Sequence, residues 1–255
     1  MLVAVVGGNL QGVEAVYLAQ KAGWEVLLID RKAAPPAAEL CERFVQFDVA
    51  SVRETASLLG KSDLVMPALE NPDALGVLAA CAASGEIALA FDPDAYAVTC
   101  SKIRSNALFD RLRMAVPGQW PGCGFPVIVK PDSASGSHGV RVVHHTDELP
   151  ADHEKSGKYV TQAFTPGPSY SLEVVGLPGK YQALQVTALE MDAVFDCKRV
   201  LAPSGLSSRL TREFEQMAIN LAEAIRLKGL MDVEVILDGQ QLALLEIDAR
   251  LPSQT

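Results

Sequence analysis

Met231-Asp232-Val233-Glu234-Val235-Ile236-Leu237 and Leu242-Ala243-Leu244-Leu245-Glu246-Ile247-Asp248-Ala249-Arg250 are two apolar runs laced with acids, with Asp238-Gly239 between them. The pattern reads as two strands joined by a hairpin turn. Residues two apart share a face of a strand, so Asp232 and Glu234 point together, as do Glu246, Asp248 and Arg250. The turn decides whether both sets share one face. A two-residue Asp238-Gly239 loop pairs Leu237 with Gln240 and sends Glu234 and Glu246 to opposite faces. A three-residue loop from Gly239 to Gln241, or a bulge, pairs Glu234 with Glu246 and Asp232 with Asp248. That register stacks four carboxylates roughly 5 Å apart across the strands, which is destabilising without a cation. Oxygen ligands of this kind suit Mg²⁺ shared with substrate phosphates. The same alternation also describes a plain antiparallel sheet with one solvated face.

The 255 residues can bury one large core or two to three small ones. No apolar run reaches the ~18 residues that span a membrane. The chain goes directly into a strand at Leu2, which gives the expectation of no signal peptide. Five scattered cysteines (Cys41, Cys81, Cys100, Cys123, Cys197) form no C-x-x-C, so reduced thiols in a cytoplasmic protein are expected. A formal net charge of −9 argues against nucleic acid or an anionic membrane as partner. A polyanionic ligand would have to be met by a few placed cations.

Leu2–Val6 is a short apolar run ended by Gly7-Gly8, followed by a helix opened by Gly12 and a second strand, Glu25–Ile29, ending at Asp30. This is a βαβ unit with a glycine turn at the first strand's carboxyl end. Gly7, Gly8 and Gly12 do not make G-x-G-x-x-G, although Asp30 stands near the place of a ribose-binding acid. The exposed tip Asn9-Leu10-Gln11 is a candidate substrate contact, as is the Pro67–Pro72 loop, which carries Glu70 and follows a strand. Strands at 44–47, 64–66 and 87–90, with helices near 52–59 and 74–83, continue a doubly wound domain to about residue 95. A helix carrying Lys102 follows, then the strand Val127–Lys130, closed by Pro131. Next comes Asp132-Ser133-Ala134-Ser135-Gly136-Ser137-His138-Gly139, small enough for successive N–H groups to converge on an anion, with Lys130 just before it. Strands at 159–164, 170–175 and 182–189 precede a helix capped at Ser207 or Ser208, with the stripe Leu210, Phe214, Met217, Leu221 and Ile225.

Lys102, Val129-Lys130-Pro131, the Ser/Gly loop, a hinge strand and two acidic strands with Glu234 and Glu246 form one ordered series. From about residue 100 to the end the series resembles the ATP-grasp ligases. The N-terminal domain resembles the Rossmann-like domain that precedes them. Val6-Gly7-Gly8-Asn9-Leu10-Gln11-Gly12, Ser171-Leu172-Glu173-Val174-Val175, Lys228–Glu234 and Glu246–Thr255 are similar to the pyrrolysine-biosynthesis branch of that superfamily.

The resemblance implies an α/β fold: a Rossmann-like domain over 1–95, a central ATP-grasp subdomain over 96–160 and a C-terminal subdomain over 161–255. It implies ATP and Mg²⁺ as cofactors. Lys102 and Lys130 would hold phosphates under the loop of Ser133, Ser135, Gly136, Ser137 and Gly139, and the backbone of Gln162 and Ala163 would meet adenine. Glu234, Glu246 and Asp248 would hold the metal. Leu10, Gln11, Glu70, Ser171, Glu173, Asp232, Arg250 and Ser253 would face amino-acid substrates, with Arg250, Asp232 and Glu173 as catalytic candidates. The implied substrates are 3-methyl-D-ornithine, through its carboxylate, and L-lysine, through its ε-amine, and a homodimer is compatible with the family. Gln162-Ala163 replaces the acidic pair common at this hinge, Asp248 stands where many members carry Asn, and the family continues beyond Thr255, which implies a truncated C-terminus. A ligase of the same superfamily with other amino acids, a non-catalytic nucleotide-binding module and a nicotinamide dehydrogenase are the competing readings.

Overall fold

A computed structural model of the protein describes residues 1–134, 136–153 and 157–252. Ser135 and Ser253, both expected site residues, lie outside the described residues. The chain divides into two compact units, Met1–Pro93 with residues 250–252, and Asp94–Ala249.

In the first unit, β1 (Leu2–Val6), β2 (Glu25–Asp30), β3 (Arg43–Gln46) and β4 (Leu64–Pro67) form a parallel sheet in the order β3-β2-β1-β4. Val3, Ala4, Val5 and Val6 are buried on both faces of the sheet, which is why β1 reads as an unbroken apolar run. The helices α1 (Leu10–Lys21), α2 (Val52–Leu59) and α3 (Pro72–Ala83) cover it. α1 begins two residues before Gly12, with Asn9 as its N-cap residue. The strand expected at 87–90 reduces to a single parallel bridge between Leu89 and Val65. Gly7 has φ +106, and a Cβ there would stand 2.4 Å from the Ala68 carbonyl oxygen, so the tight turn after β1 requires glycine.

In the second unit, α4 (Pro93–Thr99) and α5 (Lys102–Arg111) precede two antiparallel sheets. The smaller has the order β6-β5-β7 and consists of β5 (Val127–Pro131), β6 (Arg141–Val143) and β7 (Tyr159–Ala163). The larger has the order β10-β9-β8-β11-β12. Its members are β8 (Ser169–Leu177), β9 (Lys180–Met191), β10 (Cys197–Leu201), β11 (Gly229–Asp238) and β12 (Gln241–Asp248). β10 was not expected: Cys197-Lys198-Arg199-Val200-Leu201 has no clean alternation, and a register irregularity interrupts its pairing with β9.

The helix α6 (Ser208–Ile225) lies on the large sheet. The Ser207 hydroxyl accepts the Leu210 N–H at its first turn, and Arg226 closes it in the left-handed region at φ 55. Its buried face is Leu210, Phe214, Met217, Ala218, Leu221 and Ala222, packed on Leu172, Met231, Val233 and Leu244. Each such large side chain contributes roughly 1.5–3 kcal/mol by leaving water. Among the described residues no helix is long and apolar enough to cross a membrane, and all five cysteines are free thiols.

Candidate nucleotide and metal site

The hairpin of β11 and β12 settles the open question of register. The turn is two residues, Gly239-Gln240, one position later than the sequence suggests, and it pairs Asp238 with Gln241. Gly239 takes φ +60, which such a turn requires. The ladder runs regularly to Val235 opposite Leu244 and then skips Leu245, so that Glu234 faces Glu246, Val233 faces Ile247 and Asp232 faces Asp248. This β-bulge changes the phase of β12. Leu242 and Leu244 point into the core before it, Ile247 and Ala249 after it, and Glu246 is carried to the opposite face with Leu245.

On that face is a cavity of about 260 Å³. Lys102, Lys130, Glu234 and Glu246 line it, as do Gly136, Ser137, Gln162 and Ala163. Its apolar walls include Ile128, Val140, Met191, Phe195, Ile236 and Leu245. Ser133 and Gly139 do not line it; Ser133 is exposed, its hydroxyl bonded to Asp132. Asp248, the third expected metal ligand, does not line it either and stands opposite Asp232 on the neighbouring strand. The apolar walls have no periodic signal in the sequence, because Met191 ends β9, Phe195 follows in the β9–β10 turn and Leu245 enters only through the bulge.

Lys102 is the first residue of α5, and the end of that helix is held in place by Asp132. The Asp132 carboxylate accepts the Ser101 hydroxyl at 2.7 Å and the Ile103 N–H at 2.9 Å. Against the raising effect of burial, these bonds and one from Ser133 hold its acid below the ordinary range. From this anchored base the Lys102 Nζ reaches Glu246 Oε1 at 2.8 Å and the Ala134 carbonyl at 2.7 Å. Lys130, on β5, is also buried. Burial lowers its pKa, the Glu246 charge opposes that, Lys102 adds to it and Glu234 opposes it. Among the described residues no group of three or more His, Cys, Asp or Glu is disposed to hold a metal ion. Glu234 and Glu246 are adjacent, but the cation that meets Glu246 is the Lys102 ammonium.

Gln162 is 1% exposed. On β7 it pairs with Ile128, so it shares a face of the small sheet with Ile128 and Lys130. Its Nε2 donates to Asn106 Oδ1 at 2.9 Å, and Asn106 Nδ2 donates to the Lys102 carbonyl at 2.7 Å. The amide is thereby oriented with Oε1 buried and without a hydrogen-bond partner among the described residues. A buried acceptor of this kind at a cavity wall is completed by a ligand that brings a donor.

The expected substrate-facing residues divide between the units. In the second, Asp232 is buried and accepts the Ser171 hydroxyl; it pairs with Glu173 on β8, as Ser171 pairs with Glu234. Burial raises the Asp232 pKa well above the ordinary value, the Glu234 charge adds to this, and the Ser171 bond opposes it. Burial raises Glu173 as well. In the first unit, Arg250 Nη2 lies 2.8 Å from Glu70 Oε1. Gln11 Nε2 donates to the same oxygen at 3.3 Å and to the Leu251 carbonyl at 3.2 Å. Leu10 is 62% exposed and outside this cluster. Asp30, the candidate ribose acid, accepts the Gly8 and Lys32 N–H groups, both at 2.7 Å. Asp30 also lines a second cavity, of about 420 Å³, at the carboxyl ends of the parallel strands.

The ATP-grasp domain family matches residues 101–254. The chain belongs to the ATP-grasp family. Among curated relatives, the 3-methyl-D-ornithine–L-lysine ligase of Methanosarcina acetivorans is 32% identical over 99% of this chain and 68% of its own length. The Methanosarcina mazei ligase of that name is 32% identical over 99% of this chain and 66% of its own length. The chain thus spans about two thirds of the length of these relatives. The ATP-grasp architecture is repeated in solved structures. The N5-carboxyaminoimidazole synthetase of Staphylococcus aureus, complexed with ADP, has a TM-score of 0.80 at 16% identity, covering 98% of this chain and 70% of that one. The biotin carboxylase domain of the Hydrogenobacter thermophilus 2-oxoglutarate carboxylase, in complex with MgADP, has a TM-score of 0.82 at 15% identity, covering 98% and 64%. At these identities the likeness is one of fold.

Proposed function

We propose that this ATP-grasp chain is an ADP-forming ligase that joins the carboxylate of 3-methyl-D-ornithine to the ε-amine of L-lysine, in pyrrolysine biosynthesis. The observation that carries the ATP-dependent chemistry is the cavity in which two buried ammoniums, Lys102 and Lys130, face Glu234 and Glu246. The substrates come from the likeness to the Methanosarcina ligases over nearly the whole chain.

A free carboxylate resists attack by an amine because its charge repels the nucleophile and oxide is a poor leaving group. Transfer of a phosphoryl group from ATP to that carboxylate supplies a good leaving group and splits one difficult step into two. Phosphoryl transfer depends on positioned charge, which Lys102 and Lys130 provide at the phosphates. Glu234, Glu246 and Asp248 are the residues that would hold magnesium, which would supply neutralisation of phosphate charge. Gln162 Oε1 offers an acceptor at the cavity wall, and the buried Asp232 and half-buried Glu173, both with raised pKa, are the groups we assign to hold or take a proton from an amine. The five free thiols support a cytosolic setting for the reaction.

The test is ADP release by the protein supplied with ATP, Mg²⁺ and both amino acids, then with each omitted in turn. Release that requires 3-methyl-D-ornithine, and a coupled product that requires both, is the expected result. Turnover with a different amino-acid pair and none with this one would overturn the substrate assignment and leave the ligase.

A further inference from the structure

Lys102 is oddly placed for a helix residue. It occupies the first turn of α5, where the aligned peptide dipoles favour negative charge, and no acidic residue shares that turn. Its side chain is buried all the same, directed at Glu246 and at the carbonyl of Ala134. Glu246 in turn stands opposite Glu234 on the neighbouring strand. Two directly opposed carboxylates repel each other; the Lys102 ammonium relieves them by a direct bond to Glu246, and the Lys130 charge lies near both. The cavity is lined by two lysines and three acids, Glu234, Glu246 and Asp192, the last of them paired with Lys198.

We propose that the Lys102 ammonium acts as the resident counter-cation of the metal carboxylates, so that the divalent ion enters only with nucleotide. This rests on the ATP-grasp reading given above. A small divalent ion needs several oxygen ligands at once. One strand-paired carboxylate is already bonded to an ammonium, which also repels an incoming cation at close range. Nucleotide phosphates change the balance. They give Lys102 a new anionic partner and release Glu246, while their own oxygens complete the ligand set for the ion. Each charge keeps a partner before and after the exchange: carboxylates with lysine and then metal, lysine with carboxylate and then phosphate. Binding of either component alone is held back, and the site assembles as metal-nucleotide.

The experiment is a Mn²⁺ titration of the full chain without nucleotide, followed by the electron paramagnetic resonance signal of free Mn²⁺. Wild type is expected to bind weakly. Lys102→Met is expected to bind at least tenfold more tightly, and Lys102→Arg, which keeps the charge, to stay as weak as wild type. Damage to the fold would not raise metal affinity. If Lys102→Met unfolds, Lys102→Gln reads the same quantity. Equal nucleotide-free affinity in wild type and the neutral variant would overturn the proposal. A separate arm adds a non-hydrolysable ATP analogue to wild type. Retention of Mn²⁺ there with equal nucleotide-free affinities discards the counter-cation role alone, whereas no retention discards the metal-nucleotide reading beneath it.

Discussion

Lys130 and Glu173 show how little a residue's neighbours in sequence say about its surroundings. Lys130 follows three apolar residues in β5, and its burial beside Lys102 and Glu246 comes from elements far along the chain. In its proposed role as a compact charge on phosphate it has no apolar substitute. Lys130→Met is expected to weaken ATP binding by more than about tenfold, the 1.4 kcal/mol scale of one charge-assisted contact; calorimetric titration with ATP measures it, and unchanged affinity would assign the lysine a structural role. Glu173 tests the electrostatics by pH. Burial raises its folded-state pKa from the ordinary value of 4.5, so the folded form holds its proton more tightly than the unfolded one. Stability from this group is therefore present below the ordinary value and is lost as pH rises through the raised one. Glu173→Gln is expected to leave the melting temperature nearly unchanged at pH 4 and to raise it relative to wild type at pH 8. A variant equally shifted at both ends would contradict the assigned cause. The ion pair of Lys102 with Glu246 joins residues 144 apart, and nothing in the sequence specified it.

Among the elements, α6 and the acidic hairpin were legible for a physical reason: each repeats its apolar residues at the period of its own backbone. The α6 stripe was read correctly, with Ile225 partly buried at its end. Phe214, wholly buried beneath the large sheet, is its centre. Phe214→Ala is expected to cost about 3–5 kcal/mol of unfolding free energy, measured by urea denaturation, because the sheet cannot collapse into the space. A loss under 1 kcal/mol would mean that the helix contributes little to the core. The hairpin carried its own signal of irregularity. Leu244 and Ile247 are both core residues three apart in a strand that otherwise alternates, which a bulge at Leu245 permits. Acid placement alone left a longer loop and a bulge as equal solutions. The pairing of Leu242 and Leu244 with Leu237 and Val235 decides for the bulge, since those four share the core. β10 and the slip of the turn to Gly239-Gln240 had no such periodic signal.

At the scale of the whole molecule, the sequence announced a parallel doubly wound sheet and an antiparallel acidic hairpin. It did so through unbroken apolar runs in the first unit and alternation in the second. It did not announce that residues 250–252 belong with the first unit, where Arg250 meets Glu70 and Gln11 donates to the Leu251 carbonyl. Within the second unit Lys102, Lys130, Glu234 and Glu246 line one cavity, and within the first Arg250 pairs with Glu70. In the proposed reaction ATP activates a carboxylate as an acyl phosphate before the amine attacks. Hydroxylamine tests it directly. Supplied in place of L-lysine, with ATP, Mg²⁺ and 3-methyl-D-ornithine, it should intercept the activated carboxylate and give the hydroxamate together with ADP and phosphate. Formation of AMP and pyrophosphate with an acyl-adenylate would contradict it.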